Sequence, residues 1–164
     1  MLNILEYKYN NMSIIVFTDG SFVKSKNNIK CGYGIHFPNA EFEDESKLFD
    51  KPPLTNQRAE LYAIHEAIRI ISTKDNKLNI DIYTDSEYSI KSLTEWIKNW
   101  KKNSWVASTG KPVLNKDIIE EIDKLILNHN GKIKFHHVRA HTNNTDYESI
   151  HNDITDRLAK NAKI

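Results

Sequence analysis

The hydrophobic pattern of this chain changes period at Pro52-Pro53, and that change decides which folds it can reach. Before the two prolines, apolar residues come in short β-branched or alternating runs: Ser13 to Thr18 (SIIVFT), Gly32 to Phe37 and Phe42 to Phe49. The first run reads as a buried strand ending in a turn at Asp19-Gly20-Ser21, and the next two as strands separated by a Pro38-Asn39 turn. Connections this short join antiparallel neighbours, so a meander is expected. Beyond the prolines, Leu61, Ile64, Ile68 and Ile71 recur at helical spacing, with Thr55 or Asn56 as the N-cap. Strands and helices then alternate. Asn79 to Thr84 (NIDIYT) is a strand, a helical stretch runs from Tyr88 through Leu93 to Trp100, and another carries Ile118, Ile122 and Ile126. Lys132 to Val138 is the last strand, and a final helix carries Ile150, Ile154 and Leu158. Strands joined by helical crossovers lie parallel. The expectation is an α/β fold with a five-stranded mixed sheet, three strands antiparallel and the later ones parallel, flanked by helices. It occupies one domain, residues 13–164, behind a short N-terminal extension, residues 1–12.

Bulk composition narrows the function less than it narrows the class. A chain of 164 residues with 39% hydrophobic and 27% charged residues can bury an ordinary core. Cys31 is the single cysteine, so no internal disulfide forms, which fits a reducing compartment. No stretch approaches the roughly 18 apolar residues of a membrane helix, and residues 1–12 lack the apolar core of a secretory signal. An intracellular location, cytoplasm or nucleus, is expected, with no membrane association. The 23 Lys+Arg against 22 Asp+Glu say nothing about nucleic acid, because only local charge can.

Two features are local. The strand candidates at 13–18 and 79–84 both run into an aspartate, Asp19 and Asp85. In an open α/β sheet, functional groups gather where parallel strands end. If these strands are neighbours, ~4.8 Å apart, their carboxylates repel unless a cation lies between them. Taken singly, an Asp before Gly is a common turn residue, Glu60 could be a solvated helix glutamate, and Asp156 could be favourable charge in a helix's first turn. The second feature is a segment almost free of acid, with Lys98, Lys101, Lys102, Lys111 and Lys116 interleaved with Trp96, Trp100 and Trp105. Lysines neutralise phosphates and indoles offer flat surfaces to sugars or bases, so such a segment can grip a backbone without reading sequence.

Five blocks then occur in order: FTDGS at Phe17 to Ser21, TNQRAEL at Thr55 to Leu61, YTDS at Tyr83 to Ser86, WIKNWKKNSW at Trp96 to Trp105, and ND..DRLA from Asn152 to Ala159. Together they resemble the ribonuclease H type 1 family, catalytic domain only, across nearly the whole chain from Ser13 onward. The resemblance implies an endoribonuclease that hydrolyses the RNA strand of RNA·DNA hybrids, with a partner no more elaborate than the hybrid and a monomeric state. It implies that Asp19, Glu60, Asp85 and Asp156 are four metal-binding carboxylates. Hard oxygen ligands of this kind suit two Mg²⁺ ions, or Mn²⁺, rather than zinc. The products would carry 5′-phosphate and 3′-hydroxyl ends. His141 matches a histidine on a flexible loop that assists proton transfer or product release.

The same resemblance assigns Asn56 and Gln57 to RNA 2′-hydroxyls, for which amides that both donate and accept are suited. Trp100 and Ser108 align with contacts to the DNA strand, Tyr88 replaces another aromatic there, and Lys101 and Lys102 serve as phosphate handles. Thr55 and Asn115 match two members of a phosphate pocket whose third member, an arginine, is replaced by Pro53, with Lys51 a candidate substitute. Two further departures stand out. The glycine-rich turn usual after the first strand is replaced by Lys24-Ser25-Lys26-Asn27-Asn28, and the segment Thr142 to His151 is longer than usual. The competing readings are another nuclease on the same fold, or a nucleic-acid-binding module without catalysis. The intact acid set speaks against the second.

Overall fold

A computed structural model describes residues 13–163; the N-terminal extension expected at 1–12 lies outside them. Five strands form one sheet in the order β3-β2-β1-β4-β5. They are β1 (Ser13–Ser25), β2 (Asn28–His36), β3 (Glu45–Leu48), β4 (Asn79–Thr84) and β5 (Ile133–His137). The first three pair antiparallel, and β1–β4 and β4–β5 pair parallel, as the alternation of periods requires.

The first strand differs from its expected form. It does not turn at Asp19-Gly20-Ser21 but continues to Ser25, paired with β2 throughout, Asp19 opposite Gly34 and Ser21 opposite Gly32. Gly20 is there for close approach instead: a Cβ on it would lie 2.5 Å from the backbone nitrogen of Glu60. A glycine inside a strand marks such contacts as readily as it marks a turn. The third strand is also shorter than the run Phe42 to Phe49. Asp44 interrupts it by accepting the Phe37 backbone N–H at 2.8 Å and pairing with His36 Nδ1 at 2.7 Å.

Helix α1 (Asn56–Lys74) starts at Thr55, whose hydroxyl accepts the Arg58 N–H at 3.1 Å. Its stripe Leu61, Ile64, Ile68 and Ile71 is fully buried against one face of the sheet, each side chain contributing roughly 1.5–3 kcal/mol by leaving water. A helical run follows β4: α2 (Glu87–Lys91), one π turn (Ser92–Trp96) and α3 (Ile97–Lys102). Helix α4 (Lys116–Asn128) packs its Ile118, Ile119 and Ile122 beside α1. Helix α5 (Tyr147–Lys160) covers the opposite face over β1, β2 and β3. It comes very close to β2, since a Cβ on Gly34 would lie 2.6 Å from the Thr155 carbonyl oxygen and one on Gly32 2.6 Å from the Ala159 oxygen. Because α5 begins at Tyr147, with Asp146 accepting the Ser149 N–H as its N-cap, Asp156 sits well past the first turn. Part of the long segment 142–151 is therefore helix. No helix among the described residues is long and apolar enough to cross a membrane.

A candidate metal centre at the end of the parallel strands

The pairing of β1 with β4 stops at Thr18 opposite Thr84. Asp19 and Asp85 are the next residue on each strand, so the backbone delivers their carboxyls side by side. Helix α1 completes the group from above. Ala59 and Glu60 press onto Gly20, and the first-turn Asn56 donates from Nδ2 to Glu60 Oε1 at 2.8 Å. Ligand oxygens of Asp19, Glu60 and Asp85 lie within 4.8 Å of one another. Asp156 of α5 lines the same crevice, outside that triad, with its Oδ2 held by Lys160 Nζ at 2.8 Å.

The electrostatics follow from this crowding. Burial pushes the Asp19 carboxyl well above the usual carboxylate range, and the neighbouring charges of Asp85, Glu60 and Asp156 push it further, against one favourable bond from the Gly20 N–H at 2.9 Å. Burial likewise raises Glu60 to about 7, opposed by the Ser86 hydroxyl and Asn56. Asp85 is raised by burial, opposed by Asn152 and by the nearby His141 and His137. Carboxyls forced together out of water hold protons until a cation replaces them. An all-carboxylate donor set fits a hard divalent cation and not zinc or copper.

His141 lies at the rim of the crevice beside Ala140, exposed and in the left-handed backbone region with φ 51°. That conformation is strained for a residue with a Cβ. Asn152 is a site residue that the sequence reading quoted but gave no role. It is 2% exposed, its Nδ2 donates to Asp85 Oδ2 at 3.4 Å, and its Oδ1 has no partner. Ser86 and Lys160, which steady Glu60 and Asp156, were also missed. Only their spacing from the acids, one residue after Asp85 and four after Asp156, could have flagged them.

The remaining candidates fall in two places. Asn56 and Gln57 are exposed on the first turn of α1, and of the two Asn56 lines the crevice beside the acids. Asn115 and Tyr88 come together beside α4, Asn115 donating from Nδ2 to the Tyr88 hydroxyl at 2.9 Å, while Thr55 is the N-cap of α1. Arg58, passed over in the sequence reading, brings its guanidinium to the same spot, 3.4 Å from Asn115 Oδ1, and is locked by two 2.8 Å bonds to Asp117. Lys51 does not substitute there, since its ammonium lies over the Tyr62 ring, 5.5 Å from the centroid. Tyr88 and Trp100 also line an apolar groove of about 630 Å³ with Lys111 and Leu114, and Ser108 lies exposed in the loop that bounds it. Trp96, Trp100 and Trp105 stand in series with ring centroids 6.0 and 6.1 Å apart. The two lysine handles differ: Lys101 is paired with Asp123 at 2.5 Å, whereas Lys102 is exposed in the last turn of α3.

The sheet and the acid triad define a class, α/β proteins that present hard oxygen ligands for divalent cations where neighbouring parallel strands end. The family model for RNase H matches residues 11–164. The chain is 47% identical to a probable ribonuclease H of Acanthamoeba polyphaga mimivirus over 133 residues, 80% of this chain and 57% of that protein. It is 35% identical to ribonuclease HI of Pasteurella multocida over 147 residues, 90% of this chain and 87% of that protein. Among solved structures it is similar to the PFV RNase H domain, with a TM-score of 0.70, 24% identity, and coverage of 90% of this chain and 92% of that one. The chain belongs to the ribonuclease H family and is a hydrolase.

Proposed function

We propose that this chain cuts the RNA strand of RNA·DNA hybrids at the crevice between Asp19, Glu60, Asp85 and Asp156, as a monomer that needs no protein partner. The observation that carries the reading is the triad of carboxyl oxygens within 4.8 Å, on a chain of this family. Two Mg²⁺ ions, when bound, would supply activation of a water for in-line attack and stabilisation of the leaving 3′-oxygen, so that products carry 5′-phosphate and 3′-hydroxyl ends. Mn²⁺ has the same preference for oxygen ligands.

The chain's own residues do the rest. Asp19, the most enclosed of the acids, would hold the metal together with Glu60 and Asp85. Asn56 and Ser86 orient the Glu60 carboxyl, which would serve a cation or the 2′-hydroxyl beside the cut. Asn152 orients Asp85, and Lys160 holds Asp156 at the rim, where it helps keep the attacking water in place. His141, exposed at the rim of the crevice, would carry a proton to or from the cleaved phosphate. Asn56 and Gln57 face the strand whose 2′-hydroxyls mark it as RNA. Tyr88, Trp100, Ser108 and Lys102 hold the DNA strand along the groove, and Thr55 and Asn115 lie where its phosphate would rest.

The test is cleavage of end-labelled RNA·DNA hybrid, double-stranded RNA, double-stranded DNA and a duplex containing a single ribonucleotide, each with and without chelator. Cutting of the hybrid's RNA strand alone, abolished by chelator, is the expected result. Cutting of double-stranded DNA in preference would make this another nuclease on the same fold, and tight hybrid binding without cutting would make it a binding module.

A further inference from the structure

On the face of the sheet that α5 covers, three polar side chains from separate segments join in one line. His36 closes β2, Asp44 lies in the connection to β3, and His151 stands in the second turn of α5. His36 Nδ1 meets Asp44 Oδ2 at 2.7 Å, and His36 Nε2 meets His151 Nδ1 at 2.8 Å. The imidazole centroids are 5.1 Å apart and their planes differ by 22°, so the rings join edge to edge, as a straight hydrogen bond requires. A carboxylate can only accept, so His36 Nδ1 carries a proton and Nε2 is left to accept the Nδ1–H of His151. Asp44 Oδ1 takes the Phe37 N–H at 2.8 Å. Burial, and then the neighbouring His36, hold the His151 imidazole below its usual range, against the pull of Asp44.

This line fastens a stretch of helix that has little apolar burial of its own. The later half of α5 is pressed onto β2 at Gly32 and Gly34, but its start leaves Tyr147 and Ile150 exposed. His36 is buried, and Phe17 and Tyr147 pack on His151 with ring centroids 5.6 and 4.4 Å away. The residue after His151 is Asn152, whose Nδ2 reaches Asp85 Oδ2 at 3.4 Å while its own Oδ1 has no partner among the described residues. A bond that long is lost with a small shift of the helix, because hydrogen bonds weaken steeply as their geometry departs from the ideal. Helix α5 thus straddles β1, tied to β2 through His151 on one side and to the end of β4 through Asn152 on the other.

We propose that Asp44, His36 and His151 are positioning residues for the metal centre: their line of hydrogen bonds holds the second turn of α5 and, through Asn152, fixes the Asp85 carboxyl in the attitude that binds a divalent cation. None of the three touches the reacting atoms. Partners that orient a metal ligand from behind change metal affinity or activity by ~10- to 100-fold when lost, and His151 acts one residue further back, so the lower end of that range is expected. The relay rests on the hybrid-cutting reading for its effect on turnover, though not for its effect on cation binding.

The experiment compares the unaltered chain with His151→Phe, His151→Asn, Asn152→Ala and the double variant H151F/N152A. Phe keeps the packing on Phe17 and Tyr147 without the hydrogen bond, and Asn puts an amide where Nδ1 stands. Mg²⁺ binding to each protein, without substrate, is measured by calorimetry, and cleavage of RNA·DNA hybrid at one subsaturating Mg²⁺ concentration gives kcat and KM. His151→Phe should weaken Mg²⁺ binding ~10-fold and lower kcat in proportion, with KM for hybrid within ~2-fold, and His151→Asn should bring both back to within ~3-fold of the unaltered chain. Asn152→Ala should lose at least as much, and adding His151→Phe to it should weaken binding by less than ~2-fold more, because the two act in series. Should His151→Phe not fold, Asp44→Ala, at a side chain 36% exposed, unties the other end of the line and should weaken Mg²⁺ binding in the same direction. Unchanged Mg²⁺ binding in the folded variant, a His151→Asn protein as impaired as His151→Phe, or an undiminished effect in the Asn152→Ala background each overturns the relay. An unaltered chain that binds Mg²⁺ and leaves hybrid uncut removes the proposed function, and the calorimetry still decides the relay.

Discussion

Replacing Asp19 by Asn should make the metal-free protein more stable while removing its activity. The substitution keeps the shape of the side chain and an oxygen to accept the Gly20 N–H, so the change is one of charge. At 4.8 Å and an effective dielectric near 20, one pair of carboxylates repels by ~3.5 kcal/mol. Asp19 faces two such neighbours. Protonation limits the loss, since each unit by which a carboxyl is raised is worth ~1.4 kcal/mol. The net relief at pH 8 is therefore on the order of 2–4 kcal/mol, which for a chain of this size is roughly 5–15 °C in Tm. The sign has a pH signature. Asp19, Glu60 and Asp85 are all raised on folding, so the folded state holds more protons than the unfolded one. The contribution of these three groups to the stability of the metal-free chain is then full below about pH 4 and is lost as pH rises through the folded values, past neutrality. Thermal unfolding of both proteins in chelator, at pH 4.5 and pH 8, measures it. The gap should be wide at pH 8 and nearly closed at pH 4.5, and saturating Mg²⁺ should stabilise the unaltered chain far more than the variant. An Asp19→Asn protein no more stable than its parent at pH 8 in chelator would refute the crowding argument.

Other outcomes follow from single contacts. Asp85→Asn should lower hybrid cleavage by at least ~10³-fold with the fold intact by circular dichroism, as expected when a charged ligand at the reacting centre is lost. His141→Ala should slow turnover ~10²-fold, the lower end of the usual range for a general acid or base, and leave divalent-ion affinity by calorimetry unchanged. Lys102→Ala should flatten the salt dependence of hybrid binding by about 0.9, whereas Lys101→Ala should change it less, because Asp123 already occupies that ammonium. Gly34→Ala should reduce stability by ~1–3 kcal/mol in denaturant melts, because its Cβ would meet the Thr155 carbonyl oxygen at 2.6 Å and push α5 off the sheet.

The period change at Pro52-Pro53 was enough to read the mixed sheet, because hydrophobic periodicity records which elements bury one face or one stripe. The two strand ends at Asp19 and Asp85 were legible for the same reason. What stayed hidden depends on contacts between elements distant in the chain. Gly20, Gly32 and Gly34 carry the approach of α1 and α5 to the sheet, and nothing local separates that use from a turn, so β1 was cut short at Thr18. Arg58 was overlooked because it sits in a helix next to Ala59, and only the fold reveals that its guanidinium crosses to Asp117 on α4.

The length of β1 is what joins these observations. On its β2 side it pairs antiparallel to its end, and on its β4 side it loses its parallel partner after Thr18. The residue just beyond that point faces an open crevice with one edge of its strand unpaired and the other edge fixed. Asp19 is thereby held rigidly where water is scarce and other acids converge, which is the condition under which a carboxyl favours a metal ion over a proton. Had the strand turned where its Asp-Gly suggested, Asp19 would sit in a flexible loop, hydrated and near its ordinary acidity. The wall formed by Gly20 to Val23 would not exist. The continuation of one strand past its neighbour therefore places Asp19 among the acids and also builds the wall of the crevice that holds them.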